Sequence, residues 1–384
     1  MTASDPRDFI KEIRKSKFKK LLNSCIKTRY YHERLKKWGV LPGADPPLSK
    51  SDWFSLSLVE RAGKTDEFYV SGGDIGMEAP GSLKQGGRLY ATWAEVERAT
   101  AFIEFMFRNA GVGESDRFIN CYDYSYNGFG VLHQRVCEHM GVFCLPAGKV
   151  EPIQIFSRIR PYEITVLMGH SGLLVQLTKI AEREGAPQLK TVFMTSERLP
   201  ADVRSWMEEI WQCPVYMGFG ILGIYPAVAM ESLKRDKYII NDLSYIVEIP
   251  PEDMSQGEIH ITPLDFLCYP VLRLATGTKA VFLSDTYNDD CGCGTMTDLE
   301  YITAPLMTTG DLYFNADRFA NIIAEKIPGL ETRARQIWKG RVATLLFNVE
   351  PAVRGEFMRV LAETEPLISK HISLGMLAVE FGDE

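Results

Sequence analysis

Aromatic side chains are concentrated in one short segment of the sequence, Cys121–Gly130, which directly follows an apolar stretch. Four of its side chains could stack on the two faces of a flat organic ring: Tyr122, Tyr124, Tyr126 and Phe129. His170 and Ser171 follow a later apolar stretch, and they could donate hydrogen bonds or a positive charge to a carboxylate. These residue types predict a pocket for an aromatic acid, although tyrosines in a loop are equally typical of half-buried packing.

The pattern of apolar residues indicates how these two segments could meet. After residue 117, short apolar runs alternate with amphipathic stretches of helical period, which predicts βαβ units and a buried parallel sheet. The apolar runs lie at 118–122, 142–145, 164–168, 191–194 and 215–218. Because open α/β sheets bind ligands at the carboxyl ends of their strands, the residues that follow these strands should lie along one edge.

The sequence also predicts two domains of unequal size. An amphipathic helix at Thr92–Ala110 precedes the alternating region, and strands of antiparallel character follow it after about residue 240. The segment Cys291–Asp298 breaks the composition and is expected to form a linker. We therefore expect a large α/β domain at 1–298, with a helix-flanked parallel sheet and a β-rich subdomain, and a small α+β domain at 299–384.

The composition excludes several classes of function. The chain has 384 residues, of which 46% are hydrophobic and 24% are charged, and its net charge is −7. Without a basic tail or stripe, binding to nucleic acid or to an anionic membrane surface is not expected. No apolar run reaches transmembrane length and the N-terminus lacks an apolar signal core, so a cytoplasmic protein is expected. The 8 cysteines are scattered, which favours reduced thiols over a disulfide framework.

Several motifs, taken in order, resemble those of the adenylate-forming (ANL) superfamily, and of its phenylacetate–CoA ligase-like branch in particular. They are the segments Asn23–Leu35 and Pro47–Asp52, the pair Gly257–Glu258, the Pro270–Gly277 strand, and Asp289–Gly294. The resemblance covers nearly the whole chain. It implies an ANL-type fold and a ligase chemistry in which a carboxylic acid is activated as an acyl-adenylate with ATP and Mg²⁺.

The resemblance also implies a nucleotide site. Its residues would be, from the phosphate loop through the adenine side to the ribose side, Ser71, Gly72, Gly73, Ser196, Glu197, Arg198, Arg273, Thr276 and Thr278. Phe219 and Gly220 match the first half of a family motif, and with Gly218 they would line the substrate cavity. As plainer alternatives, the glycine-rich segment at 70–76 is a turn, and the segment at 195–200 is the N-terminal cap of a helix.

Other positions depart from the family pattern in the nucleotide half of the site. Thr278 stands where the family has an aspartate that binds both ribose hydroxyls, and a threonine can form only one neutral hydrogen bond there. Leu222 and Gly223 replace the residues that contact phosphate and Mg²⁺, and Asp74 adds a negative charge to the phosphate loop. The sequence also ends before the lysine that the family carries near its C-terminus. Binding of ATP and Mg²⁺ should therefore be weakened.

Zinc is not expected either, although Cys291 and Cys293 match a CxC motif of the same branch. Neither Cys nor His occurs at 224–244, where partners for this pair would be sought. Three other residues could complete a zinc site by proximity in the fold: Cys213, His260 and Cys268.

Two hypotheses of function remain open from the sequence. In the first, the chain is an atypical adenylate-forming enzyme that activates an aromatic carboxylic acid in specialised metabolism, such as phenazine antibiotic biosynthesis. A downstream acyl acceptor or reductase would then be its partner. In the second, the chain is a non-adenylating relative that binds an aromatic acid and has lost its ATP site. A homodimer is compatible with both, and no catalytic residue is assigned.

Overall fold

The computed structural model describes residues 5–37, 67–79, 87–125, 128–148, 150–195, 199–221, 225–250, 255–287, 291–301, 307–309, 312–314, 323–327, 329–330, 332, 334–364 and 366–382. Helices α1–α9 span Pro6–Cys25, His32–Lys37, Trp93–Asn109, Phe129–Met140, Pro152–Ile159, Ser171–Glu184, Ala201–Trp211, Arg354–Thr364 and Pro366–Ser373. Strands β1–β9 span Ile75–Ala79, Gly87–Ala91, Arg117–Asn120, Phe143–Pro146, Val166–His170, Thr191–Thr195, Val215–Ile221, Tyr225–Glu231 and Tyr238–Ile240. Strands β10–β18 span Tyr245–Glu248, Gln256–Pro263, Leu274–Tyr287, Gly294–Tyr301, Met307–Thr309, Leu312–Phe314, Ala334–Lys339, Val342–Phe347 and Leu377–Phe381.

An 11-stranded sheet organises the larger part of the fold, in the order β10-β11-β12-β13-β9-β8-β7-β6-β5-β3-β4. At one end of this order, neighbouring strands from β7 through β6, β5 and β3 to β4 pair in parallel. In the rest of the sheet, from β10 through β11, β12, β13, β9 and β8 to β7, neighbouring strands pair antiparallel. The predicted βαβ units and the strand-rich region after them are thus confirmed.

Burial explains why the parallel strands read as continuous apolar runs. Every residue of β5, Val166–His170, is buried. A strand needs apolar side chains on both faces when helices cover the sheet on both sides. The helix α6 follows β5 without a connecting residue, and it buries side chains around most of its circumference from Leu173 to Ala181. The packing of β5 and α6 therefore fixes the position of the strand end at His170.

The predicted helix at Thr92–Ala110 is α3, and it begins at a capping box. Thr92 accepts a hydrogen bond from the Glu95 amide, and the Glu95 carboxylate accepts one from the Thr92 amide at 2.7 Å. The same carboxylate also accepts hydrogen bonds from the amides of Leu267 (2.7 Å) and Cys268 (3.1 Å). Glu95 is buried, so one carboxylate both caps α3 and ties it to the loop between β11 and β12.

The C-terminal part of the chain has its own apolar core. In its three-stranded sheet, β16 pairs antiparallel with β17, and β17 pairs in parallel with β18. Side chains from this sheet and from α8 form a buried cluster that includes Leu345, Phe347, Phe357 and Leu361. This arrangement is the small α+β unit that the sequence predicts.

The segment Cys291–Asp298 is not the linker that its composition suggested. From Gly294 onward it belongs to β13, which pairs with β12 on one side and with β9 on the other. The Asp242 carboxylate accepts a hydrogen bond from the Gly294 amide at 2.7 Å, and Met296 is fully buried. Pairing with two distant strands thus outweighs the local glycine and cysteine content.

Two negative findings concern the described parts of the chain. No helix there is long and apolar enough to cross a membrane. All 8 cysteines lie in the described ranges, and none is paired in a disulfide there.

The shared carboxylate of Glu95 gives a test of the fold. We expect Glu95→Ala to lower the free energy of unfolding by about 3 kcal/mol, because three buried amides lose a charged acceptor. Thr92→Ala, which removes only the cap hydroxyl, should cost about 1 kcal/mol. Urea denaturation of both variants measures the difference, and equal losses would show that the loop contacts contribute nothing.

Candidate functional site

The strand order creates a topological switch point at the carboxyl ends of β3 and β5, the kind of position at which a crevice is expected. The chain passes from β3 to β4 on one side of β3, and then returns to β5 on its other side. The connections that leave these two strands therefore diverge, and open α/β sheets bind their ligands at such a point.

Residues predicted to bind substrate meet at this switch point. His170 ends β5 and lies opposite Thr195 at the end of β6, which in turn lies opposite Gly218 on β7. Tyr122 follows the end of β3, and its ring centroid is 4.8 Å from that of His170. The common edge of the parallel strands thus brings Tyr122 and His170 together from distant parts of the sequence.

Four rings pack against one another at this edge. The Tyr122 ring lies 4.1 Å from the His133 ring and 5.7 Å from the Phe129 ring, between ring centroids. The Phe129 ring is 6.0 Å from that of His170. All four side chains are buried. We call these rings together with Thr195 the edge cluster.

The loop that carries the predicted tyrosines is held by Asn120. Its buried side-chain amide donates to the Tyr124 hydroxyl (2.7 Å) and to the Gly130 carbonyl (2.9 Å), and it accepts from the Tyr122 amide (3.1 Å). The Tyr124 hydroxyl donates to Gln134 at 2.9 Å. Tyr124 therefore packs on its own loop and on α4, with no described ring contact to Tyr122, while the edge cluster forms without it.

Two titratable groups of the edge cluster, His133 and Tyr122, are held neutral by burial. Burial lowers the pKa of His133 to about 4, and it raises the pKa of the Tyr122 hydroxyl well above its usual value. His133 Nδ1 lies 2.9 Å from the Phe129 carbonyl, which can only accept, so Nδ1 carries the proton. Nε2 of the neutral ring then has a lone pair and can accept a hydrogen bond.

The glycines of β7 allow close packing beside the cluster. A Cβ atom at Gly218 would lie 3.2 Å from Thr195 Cγ2, and one at Gly220 would lie 3.6 Å from the Phe129 ring and 2.9 Å from the Tyr225 carbonyl oxygen. Phe219 points to the opposite face of the strand, where it is buried in the core. Ser171 is the first residue of α6 and is fully buried.

The glycine-rich segment at 70–76 forms a turn that leads into β1. Ser71, Gly72 and Gly73 are exposed, and the two glycines have φ angles of +80° and +110°. The Asp74 carboxylate accepts a hydrogen bond from the Trp93 amide at 3.1 Å, beside the N-terminus of α3. The charge of Asp74 is thus used at a helix terminus, which favours it.

The strand segment that would bind ribose is enclosed by the sheet. The Arg273 guanidinium is buried and paired with Glu248, and the Thr276 hydroxyl donates to the Ile259 carbonyl at 2.8 Å. Thr278 is 1% exposed, and its hydroxyl makes no hydrogen bond to any described residue. These three side chains do not fit a ribose, because none of them presents a polar atom at an open surface.

Several predicted residues fall outside the part of the chain that the structure describes. They are Tyr126, Ser196, Glu197 and Arg198, together with Leu222 and Gly223. Within the described ranges, no group of three or more His, Cys, Asp or Glu side chains could hold a metal ion.

The sequence did not single out His133, Thr195 or Asn120. His133 lies one helical turn after Phe129 on α4, so the spacing of the two rings would have placed them on one face. Thr195 is the last residue of a predicted strand at the binding edge, which is the signal that could have found it. No local pattern marks Asn120, since its partners come from both ends of a loop.

Thr278 gives a test of the enclosed segment. Thr278→Asp should lower the free energy of unfolding by about 2 kcal/mol or more, because it buries a charge, and it should confer no ATP affinity. Thr278→Val keeps the shape and removes an unpaired hydroxyl, so its stability should be equal or higher by about 1 kcal/mol. Urea denaturation and calorimetry with ATP measure both effects. A stable Thr278→Asp variant that binds ATP would show that this position is accessible.

The lowered pKa of His133 predicts acid sensitivity. The unfolded chain takes up a proton near the ordinary value of 6.5, whereas the folded protein does so only near pH 4. The unfolded state therefore binds more protons between these values, and stability falls as the pH is lowered through this window. We expect about 2 kcal/mol less unfolding free energy at about pH 5 than at about pH 7 from this residue.

His133→Gln should remove that part of the pH dependence in urea denaturation. His139→Gln changes an exposed histidine on the same helix and serves as the matched control. An unchanged pH dependence in His133→Gln would contradict the assignment.

Known structures share this architecture at low sequence identity. The chain is similar to 2-hydroxyisobutyryl-CoA ligase in complex with 2-HIB-AMP and CoA, with a TM-score of 0.71 and 15% identity, over 98% of this chain and 86% of that chain. The same ligase in its postadenylation state gives a TM-score of 0.62 with 14% identity over the same shares, 98% and 86%. The amide bond synthetase McbA from Marinactinospora thermotolerans gives 0.54 with 12% identity, over 81% of this chain and 65% of that one.

By sequence, no protein-family model and no curated protein matches the chain. The structural likeness extends over almost the entire chain, and at these identities it establishes the fold alone. The chain has the ANL-type fold of the adenylate-forming ligases.

Proposed function

We propose that this chain is an atypical adenylate-forming enzyme that binds a small aromatic carboxylic acid at the crevice between β3 and β5. The observation that carries the proposal is the edge cluster, whose rings converge at the ligand-binding edge of an ANL-type fold. The buried faces of Tyr122 and Phe129 suit a flat apolar ring.

The edge cluster also suits the exclusion of water from a bound acid. Tyr122, Phe129, His133 and His170 are all buried, so water is excluded from these rings. An activated acyl group is prone to hydrolysis, so a dry site would protect it. The proposed binding of the acid thus depends on residues of the edge cluster, all of which the structure describes.

A second candidate function is favoured by the enclosed segment Arg273–Thr278. Because its side chains do not fit a ribose, the chain would bind the acid without forming an adenylate there. It would then deliver or protect an aromatic acid, or act as the partner of another enzyme. The identity of the acid, a role in phenazine antibiotic biosynthesis, a downstream acceptor or reductase, a homodimer and a cytoplasmic location are further parts of the proposal.

Calorimetry and isotope exchange separate the two functions. A panel of aryl acids is titrated into the protein with and without ATP and Mg²⁺, and exchange of pyrophosphate into ATP is then measured with each acid that binds. Exchange that depends on the acid is expected of an adenylating enzyme. Acid binding without exchange would establish the second function instead, and an absence of binding by any aryl acid would refute both.

A further inference from the structure

A charged cavity lies on the other face of the sheet from the edge cluster. Its volume is about 420 Å³, which is large enough for a small organic ligand, and it lies between α7 and the β8–β9 hairpin. Met217 lines this cavity, whereas Gly218, the next residue of β7, faces Thr195 of the edge cluster. Because neighbouring residues of a strand point to opposite faces, β7 separates the cavity from the edge cluster.

The cavity opens to solvent. Of the residues that line it, Ser205 on α7, Lys234 and Asp236 in the hairpin, and Asp298 on β13 are exposed. Glu231, which also lines it, is only 6% exposed. A ligand can therefore enter from the side of the exposed residues and reach buried charged groups.

Two carboxylates of the cavity wall are already engaged within the protein. Glu231 accepts a hydrogen bond from the Met217 amide at 2.8 Å and pairs with Arg204. Glu208 accepts a hydrogen bond from the Val215 amide at 3.0 Å and pairs with Arg235. Each of these partly or wholly buried carboxylates thus has a guanidinium partner that balances its charge.

The two arginines keep donors that the described part of the chain does not use. A guanidinium has five N–H donors. Arg204 donates from Nε (3.2 Å) and Nη2 (2.9 Å) to the Val215 carbonyl and from Nη2 to Glu231, so Nη1 has no described acceptor. Arg235 donates to Glu208 from Nη1, which leaves its Nε and Nη2 without a described acceptor.

Positive charges are gathered around this cavity. Burial lowers the pKa of Arg235, and the nearby charge of Arg204 lowers it further. Lys234 and Lys237 line the same cavity, and neither ammonium group forms a hydrogen bond or a close ion pair with a described residue. Two further carboxylates, Asp236 and Asp298, lie at the exposed rim, where water and salt screen their charge. The cavity therefore offers cationic donors in excess of the acceptors that it contains.

The backbone is strained at two residues of the cavity wall. Arg235 and Asp298 have φ angles of +60° and +53°, a left-handed conformation that is unfavourable for a residue with a Cβ atom. The described residues include six such non-glycine positions, and two of the six line this one cavity. Strained residues cluster at ligand-binding sites, so this observation supports a site here independently of the charges.

We propose that this cavity binds a small molecule that carries a phosphate group. The phosphate lies between the guanidinium groups of Arg204 and Arg235, and the two lysines neutralise the rest of its charge. Donors reach the cavity from α7 and from the hairpin, and the tetrahedral oxygens of a phosphate accept from several directions, whereas a planar carboxylate presents only two oxygens. This site is separate from the edge cluster, and the inference goes beyond the proposed function.

Calorimetry on the full chain tests the site. The ligands are inorganic phosphate, pyrophosphate, glycerol 3-phosphate and, as a polyanion without phosphorus, citrate. We expect at least one phosphate compound to bind at a single site with a Kd of about 1 mM or lower, and citrate to bind about tenfold more weakly. The tightest of the three phosphate compounds distinguishes an inorganic from an organic source of the group.

Variants locate the binding. The double variant Lys234→Gln/Lys237→Gln removes two positive charges without breaking a described ion pair, and the affinity should fall about tenfold. Lys36→Gln/Lys37→Gln removes the same charge from two exposed positions on α2, and it should keep the affinity. Arg235→Lys keeps a positive charge beside Glu208 but removes the planar set of donors, so it should also weaken binding. Thermal unfolding verifies that each variant is folded.

The outcomes separate this inference from the proposed function. If no phosphate compound binds the unchanged protein, or if citrate binds as tightly, the inference is wrong. If Lys234→Gln/Lys237→Gln keeps the affinity, or if the α2 variant loses as much, the anion is bound elsewhere or through net charge alone, and the inference is again wrong. Titration of aryl acids into the same variants should give unchanged affinities, so the proposed function stands or fails on its own test.

Discussion

The buried side-chain amide of Asn120 organises the part of the structure that carries the candidate site. Its three hydrogen bonds reach Tyr122, Tyr124 and Gly130, while its own carbonyl accepts from the amide of Ala147 at 2.9 Å. A single residue at the end of β3 thus ties together both ends of one loop and the start of another. Because a buried amide must satisfy its donors and its acceptor, the loop has little freedom to move. The position of the Tyr122 ring, and with it the edge cluster, follows from that constraint.

The Arg273–Thr278 segment and the edge cluster differ in the contacts that their polar groups make. In the Arg273–Thr278 segment, buried Arg273 is paired with Glu248. The Thr276 hydroxyl donates a hydrogen bond to the main-chain carbonyl of Ile259 on the neighbouring strand β11. Those contacts are internal to the sheet, and breaking the ion pair would leave a buried charge. In the edge cluster, the Thr195 hydroxyl is buried and interacts with the Tyr122 phenol, so this contact is also internal to the protein.

Likeness of fold and likeness of site are separate matters in this chain. The similarity to 2-hydroxyisobutyryl-CoA ligase extends over 98% of the chain, at 15% identity. A fold can persist when the chemistry of its site has changed, so the activity must be argued from side chains. Here Arg273 and Thr276 are engaged within the sheet, so the fold alone does not establish nucleotide binding. Glu95 joins α3 to the loop before Arg273, so the scaffold around that segment is closely tied.

The sequence by itself determined the elements whose signals are local. The apolar run of β5 and the capping box of α3 could be read from neighbouring residues, because strand burial and helix capping depend on short spacings. The placing of Tyr122 and His170 at one edge also followed, since parallel strands share their carboxyl ends.

Only the tertiary structure decided which polar groups form hydrogen bonds within the protein. The Tyr124 hydroxyl forms hydrogen bonds with Asn120 and Gln134, and the segment that was expected to be a linker belongs in part to β13. The tertiary structure also enclosed Thr278 within the antiparallel part of the sheet. Hydrogen-bond satisfaction depends on partners far apart in the sequence, and no local pattern of residues records which of them will meet.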